Sequence, residues 1–138
     1  MDSSPSLYLV SSCLMGLCTR YDGKLKASSP CRSRLQGHLW IPVCPEQLGG
    51  LPTPREAADI VSGNGADVLK GQERVVTKSG IDVSEAFIRG AEQVLAIASA
   101  QPVAGALLKS GSPSCGVSQR MGVAAALLHA HGVKLEEF

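Results

Sequence analysis

Five cysteines stand in this chain, at positions 13, 18, 31, 44 and 115, and three of them share a setting. Cys13, Cys44 and Cys115 each follow an apolar run and are each succeeded by residues rich in Gly, Pro and Ser. Thiolates are ligands for soft metals and for iron–sulfur clusters. Loops of that composition let backbone approach a bulky inorganic group and offer it N–H donors. Three thiolates satisfy three irons of a cubane, and the fourth iron is then open to act as a Lewis acid on a substrate atom. An odd count leaves at least one thiol outside any internal disulfide, and in a reducing compartment spaced cysteines are more often metal-binding or catalytic. No compact C-x-x-C or ferredoxin spacing is present, and buried cysteine is common in ordinary cores, so position alone balances a metal site against inert packing. Cys18, five residues after Cys13, is a candidate fourth ligand, and Cys31 between Pro30 and Arg32 reads as a bystander.

The residues beside these thiols suggest the chemistry around them. Glu46 lies two positions after Cys44 and is a candidate general base, against the simpler reading of a helix-start carboxylate. Ser112 precedes Cys115 in Ser-Pro-Ser-Cys-Gly and can orient a water, or serve only as a turn hydroxyl. Arg20, Arg55 and Lys109 flank the cysteine loops, where positive charge would offset an anionic cluster or steady a substrate oxygen or phosphate. His38, His129 and His131 pair with no nucleophile in sequence. Two other readings stay open at this level. One is a non-catalytic zinc or electron-transfer protein using Cys18 as the fourth ligand. The other is a metal-free thiol enzyme with Cys115 as nucleophile.

The elements that must position these groups follow from hydrophobic pattern. Residues 8–14 and 39–43 read as strands running into Cys13 and Cys44, and Pro42 argues for an edge position or a strand end in the second. Residues 103–108 read as a buried strand leading to the Cys115 loop. A short helix is expected over 55–60, β-like pieces over 67–69 and 74–77, and the clearest helix over 83–99 with Asp82 and Glu85 as a capping box. A last helix over 122–131 and a strand over 133–138 complete the chain. Strands alternating with helices predict a single compact α/β domain with a mainly parallel sheet, in which ligands bind at the carboxyl ends of the strands. The polar residues 1–6 read as a flexible extension.

Composition narrows the function classes. At 138 residues, 44% hydrophobic and 18% charged, with a net charge of +1, the chain reads as one globular domain. Scattered Lys and Arg supply no patch for duplex nucleic acid, and 4% aromatics supply no base-stacking platform. No apolar run approaches the ~20 residues of a membrane helix, and the polar start lacks the order of a secretory signal. The expected location is the cytoplasm.

Taken together, Val10-Ser11-Ser12-Cys13-Leu14-Met15-Gly16, Cys18-Thr19-Arg20-Tyr21-Asp22-Gly23, Val43-Cys44-Pro45-Glu46, Gly49-Gly50-Leu51-Pro52-Thr53-Pro54-Arg55 and Ser112-Pro113-Ser114-Cys115-Gly116 resemble, in order, the motifs of a bacterial and archaeal family that includes [4Fe-4S]-dependent thiouracil desulfidases. The stretch 82–91 is similar as well. The resemblance implies a [4Fe-4S] cluster on Cys13, Cys44 and Cys115, whose unprotected iron takes the thiocarbonyl sulfur of a thiolated pyrimidine. Water then attacks the carbon, giving uracil and hydrogen sulfide with no net redox change. It also implies that Glu46 and Ser112 assist that water. One departure stands out: many members carry a longer Gly- and Tyr-containing tract after the third cysteine, where this chain has only Val117-Ser118-Gln119-Arg120-Met121.

Overall fold

Alternation along β1 (Leu7–Ser11) decides the layering of the molecule. Leu9 faces one side of the sheet and Tyr8 and Val10 the other, as the two-residue period of a strand requires. The same split recurs in β5 (Gly105–Leu108), where Ala106 and Leu108 join Leu9 and Leu107 joins Tyr8 and Val10. Both faces are therefore apolar and both must be covered, as in parallel sheets generally. The computed structural model describes residues 4–138.

The main sheet has the order β2-β1-β5-β6, with β2 at Leu39–Val43 and β6 at Leu135–Glu137, and every neighbouring pair is parallel. Pro42 lies on the edge strand, where the missing donor costs no ladder bond. One face is covered by α1 (Ser29–Arg34), which buries Cys31 against Val10, Leu14 and Leu107. Cys31 is thus a core residue. The other face packs against α4 (Ser84–Ala100) and α5 (Val123–Ala130), through Val94, Ala125 and Leu128. The first strand ends earlier than the sequence suggests: Ser12–Met15 form a 3-10 turn closed by Gly16, and Cys13 sits on that turn. Residues 4–6 are not all loose, since Ser6 N–H donates to His38 Nδ1 at 3.1 Å and Ser6 O accepts from Leu39 N–H. Residues 1–3 of the expected extension lie outside the described residues.

The middle of the chain departs from expectation in two places. Residues 58–60, expected in a helix, form β3 (Ala58–Ile60), paired antiparallel with β4 (Val75–Thr77) in a separate two-stranded sheet. Ile60 and Val75 join Phe87 and Val123 in a buried cluster, so distant packing overrides local helix preference. Residues 67–69, expected as β, lie in α3 (Gly65–Leu69), capped reciprocally by Asn64 and Asp67. At α4 the expected Asp82–Glu85 box does not form; Asp82 Oδ1 instead accepts from Ser84 N–H at 2.9 Å, and Ser84 Oγ accepts from Val75 N–H.

Candidate active site

The carboxyl ends of β1, β2 and β5 open onto one cavity of about 320 Å³. Cys13, Cys44, Cys115, Glu46 and Ser112 all line it, together with Arg20, Arg55 and Lys109. The topology explains the convergence, because β1 is central and its parallel neighbours β2 and β5 end on the same side.

Each thiol is delivered differently. Cys13 is half-buried on the 3-10 turn, and burial, followed by the neighbouring Cys44, pushes its thiol up while Lys109 and Arg20 oppose the rise. Cys44 is the N-cap of α2 (Pro45–Leu48), which starts on Pro45 as helices often do. This short helix lies so close to α4 that a Cβ on Gly49 would strike Ala86 O, and one on Gly90 would strike Pro45 O. Arg89 and Gln93 of α4 add side-chain donors to Gly49 O and Leu48 O. The close crossing fixes Glu46 in the first turn of α2.

Cys115 is only 4% exposed, and burial drives its thiol up to about 12 despite the opposing influence of the Ser11 and Ser114 hydroxyls beside it. Its loop is folded on itself: Ser112 Oγ accepts from Ser114 N–H at 3.2 Å and Cys115 N–H at 3.1 Å, and Gly116 N–H donates to Ser112 O. The loop carbonyls of Pro113 and Ser114 in turn accept from Val123 and Ala125 N–H, satisfying donors at the start of α5. Gly122 is required there, because a Cβ would run into the Ser114 and Cys115 backbone. The short connection after Cys115 is tied at three points. Glu137 accepts from Val117 N–H and from Ser118 N–H and Oγ, Arg120 donates to Ile60 O at 2.7 Å, and Met121 O accepts from Gly65 N–H.

Glu46 and Ser112 are linked through Ser114, which donates to Glu46 Oε2 at 3.0 Å and lies 3.0 Å from Ser112 Oγ. Sequence reasoning passed over Ser114, although its place between a candidate catalytic serine and a candidate ligand was visible. Glu46 Oε1 accepts from Arg55 Nε at 2.9 Å. Arg20 is engaged by Asp22 through two bonds of 3.1 and 2.9 Å. Cys18 is exposed, hydrogen-bonds Gly23 O, and is not part of the cavity lining.

Three thiols border one cavity, none of them in a disulfide, and such a set of soft donors fits a soft metal or an iron–sulfur cluster by its chemistry. Among the described residues no three His, Cys, Asp or Glu side chains stand close enough together to hold one metal ion. A thiol raised by burial, as Cys115 is, also lacks the depressed pKa of a free nucleophile. Among the described residues no helix is long and apolar enough to cross a membrane.

Comparison with known proteins agrees with this geometry. A Bacillus subtilis (strain 168) protein named as uncharacterized protein YbbK is 46% identical over 110 residues, spanning 80% of this chain and 73% of its own length. The solved structure of the [4Fe-4S]-dependent thiouracil desulfidase TudS superimposes with a TM-score of 0.79 at 38% identity, covering 96% of this chain and 90% of that one. The family model described as 2-thiouracil desulfurase matches residues 8–137. With its family model spanning nearly the whole chain and its fold shared with a solved desulfidase, this protein belongs to the 2-thiouracil desulfurase family.

Proposed function

We propose that this protein is a desulfidase that converts a thiolated uracil and water to uracil and hydrogen sulfide, with no net change of oxidation state. The observation that carries the reading is the meeting of three thiols, Glu46 and Ser112 around one cavity in a chain of this family. Cys13, Cys44 and Cys115 are the residues that would hold a [4Fe-4S] cluster. With one iron free of protein ligands, the cluster would supply a Lewis acid for the thiocarbonyl sulfur.

The chain's own groups do the rest. Ionised Glu46 only accepts hydrogen bonds, and it keeps lone pairs beyond those used by Arg55 and Ser114, so it can take a proton from a water in the cavity it lines. Ser112 Oγ already accepts from two backbone N–H groups, so its hydroxyl proton is what it has to offer, to Ser114 or to the reacting oxygen. Lys109 and Arg20 bring positive charge to the Cys13 side, where it counters anionic ligands. The small cavity suits a single pyrimidine ring, and the reading carries with it a cytoplasmic location.

The test is a visible spectrum of anaerobically reconstituted protein before and after 2-thiouracil or 4-thiouracil, with uracil and sulfide assayed together. A cluster band that responds to substrate, followed by both products, is expected. A colourless protein that takes up no iron overturns the reading. In the same assay Glu46→Gln should keep its iron and lose about 10²- to 10⁴-fold in turnover, the range for removing a general base. Unchanged turnover would take Glu46 out of the mechanism.

A further inference from the structure

Arg55 stood out in sequence as a charge that could hold a substrate oxygen or phosphate, yet its environment gives it another task. Its side chain is 8% exposed. A guanidinium has five N–H donors, and here each meets the protein: Nε donates to Glu46, one terminal nitrogen to Pro52 O and Thr53 Oγ1, the other to Thr19 O and, at 3.9 Å, to Cys44 Sγ. No donor is left for a ligand. The guanidinium instead ties the segment after Cys13, the Cys44 thiol and the Glu46 carboxylate into one unit.

Ser114 completes the arrangement from the other side. It is 2% exposed, and of its two acceptors, Glu46 Oε2 at 3.0 Å and Cys115 Sγ at 3.7 Å, the nearer, charged carboxylate oxygen takes its single hydroxyl proton. Its contact with Ser112 Oγ must then run the other way, with Ser112 donating. That direction agrees with the two backbone N–H groups already received by Ser112 Oγ. The hydrogen bonds thus point from Ser112 through Ser114 to Glu46. The Glu46 oxygens are held separately, Oε1 by Arg55 and Oε2 by Ser114.

We propose that Arg55 and Ser114 are positioning residues that clamp the Glu46 carboxylate from opposite sides and fix its aim relative to Ser112. The clamp is a property of the chain; its consequence for turnover rests on the desulfidase reading above. A single ammonium cannot reproduce a planar fork that spans several acceptors, so even Arg55→Lys should release one side of the carboxylate.

The experiment compares wild type, Arg55→Lys and Ser114→Ala, each also in a Glu46→Gln background, with iron content and visible absorption measured beside kcat and KM. Each single change should lower kcat about tenfold or more while KM and iron content stay near wild type, because a misaimed group costs rate more than binding. In the Glu46→Gln background the further loss should shrink to about twofold or less, as expected for residues acting through one partner. Full kcat in both single variants, or losses that multiply undiminished in the Glu46→Gln background, overturns the proposal. A second readout needs no turnover. The ¹⁵N-edited NMR signal of Arg55 Nε–H in the protein as isolated should be protected from water exchange and should shift in both Ser114→Ala and Glu46→Gln. A rapidly exchanging signal indifferent to both changes refutes the clamp. A protected, responsive signal in a protein without thiouracil turnover supports the clamp and counts against the desulfidase reading alone.

Discussion

The loops that carry the first and third thiols supply the same atom by opposite means. Around Cys115 the backbone is bonded to itself and to the first turn of α5, Ser112 receives two N–H groups, and Gly122 lets the helix start touch the loop. Around Cys13 the chain makes one 3-10 turn and then runs without helix or strand until α1, held by Ser28 N–H to Leu14 O, Arg32 to Met15 O and Arg55 to Thr19 O. One thiol is locked in from all sides and the other is half open. A site that must hold a bulky group and still admit a substrate needs both: a rigid wall that sets position and a looser one that leaves an approach.

The contrast can be broken most severely at the rigid wall. Cys115→Ser should abolish cluster retention, seen as loss of bound iron and of the visible band, whereas Cys18→Ser should retain both, since Cys18 lies off the cavity. A Cys18→Ser variant that loses iron while Cys31→Ser keeps it would restore Cys18 as a ligand. Next in size is Gly122→Ala. The backbone there, with φ −70°, suits any residue, so the cost is purely the collision with the Ser114 and Cys115 backbone. About 1–3 kcal/mol of stability should be lost, read as a lower urea midpoint. An unchanged midpoint would show that the Cys115 wall yields.

The smallest effect concerns the connection just after that wall. Glu137 is held below the usual carboxylate range, first by Ser118 Oγ and then by the Val117 and Ser118 N–H groups. A depressed carboxylate pKa means that the stabilisation is present above the ordinary value and fades as pH falls through the lowered one. Backbone amides of 117 and 118 should therefore lose exchange protection in acid before those of β5 do. Equal loss across both would remove Glu137 as the anchor.

Much of this was legible in the sequence. Apolar runs leading to Cys13, Cys44 and the loop of Cys115 predict three strands, and the parallel sheet places all three thiols on one cavity. Pro42 correctly marks an edge. What misled was the middle. Asn64 and Asp67 carry a capping signal that makes 65–69 helical, and the β-rich letters of Val68 and Leu69 obscured it. Residues 58–60 become strand only because Ile60 finds Val75 and Phe87, a contact that no local window contains. Arg55 could not be understood at all without its partners, since commitment of every donor is a three-dimensional fact.

The position of β1 between β2 and β5 also sets an order of events during synthesis. A ribosome delivers Cys13 and Cys44 early, and β1 can begin pairing with β2 while the chain is still growing. The remaining wall arrives only after residue 115 has emerged and β5 has slotted against the far side of β1. A group gripped by all three thiols therefore finds its full set of ligands only once residue 115 has been made and β5 lies beside β1.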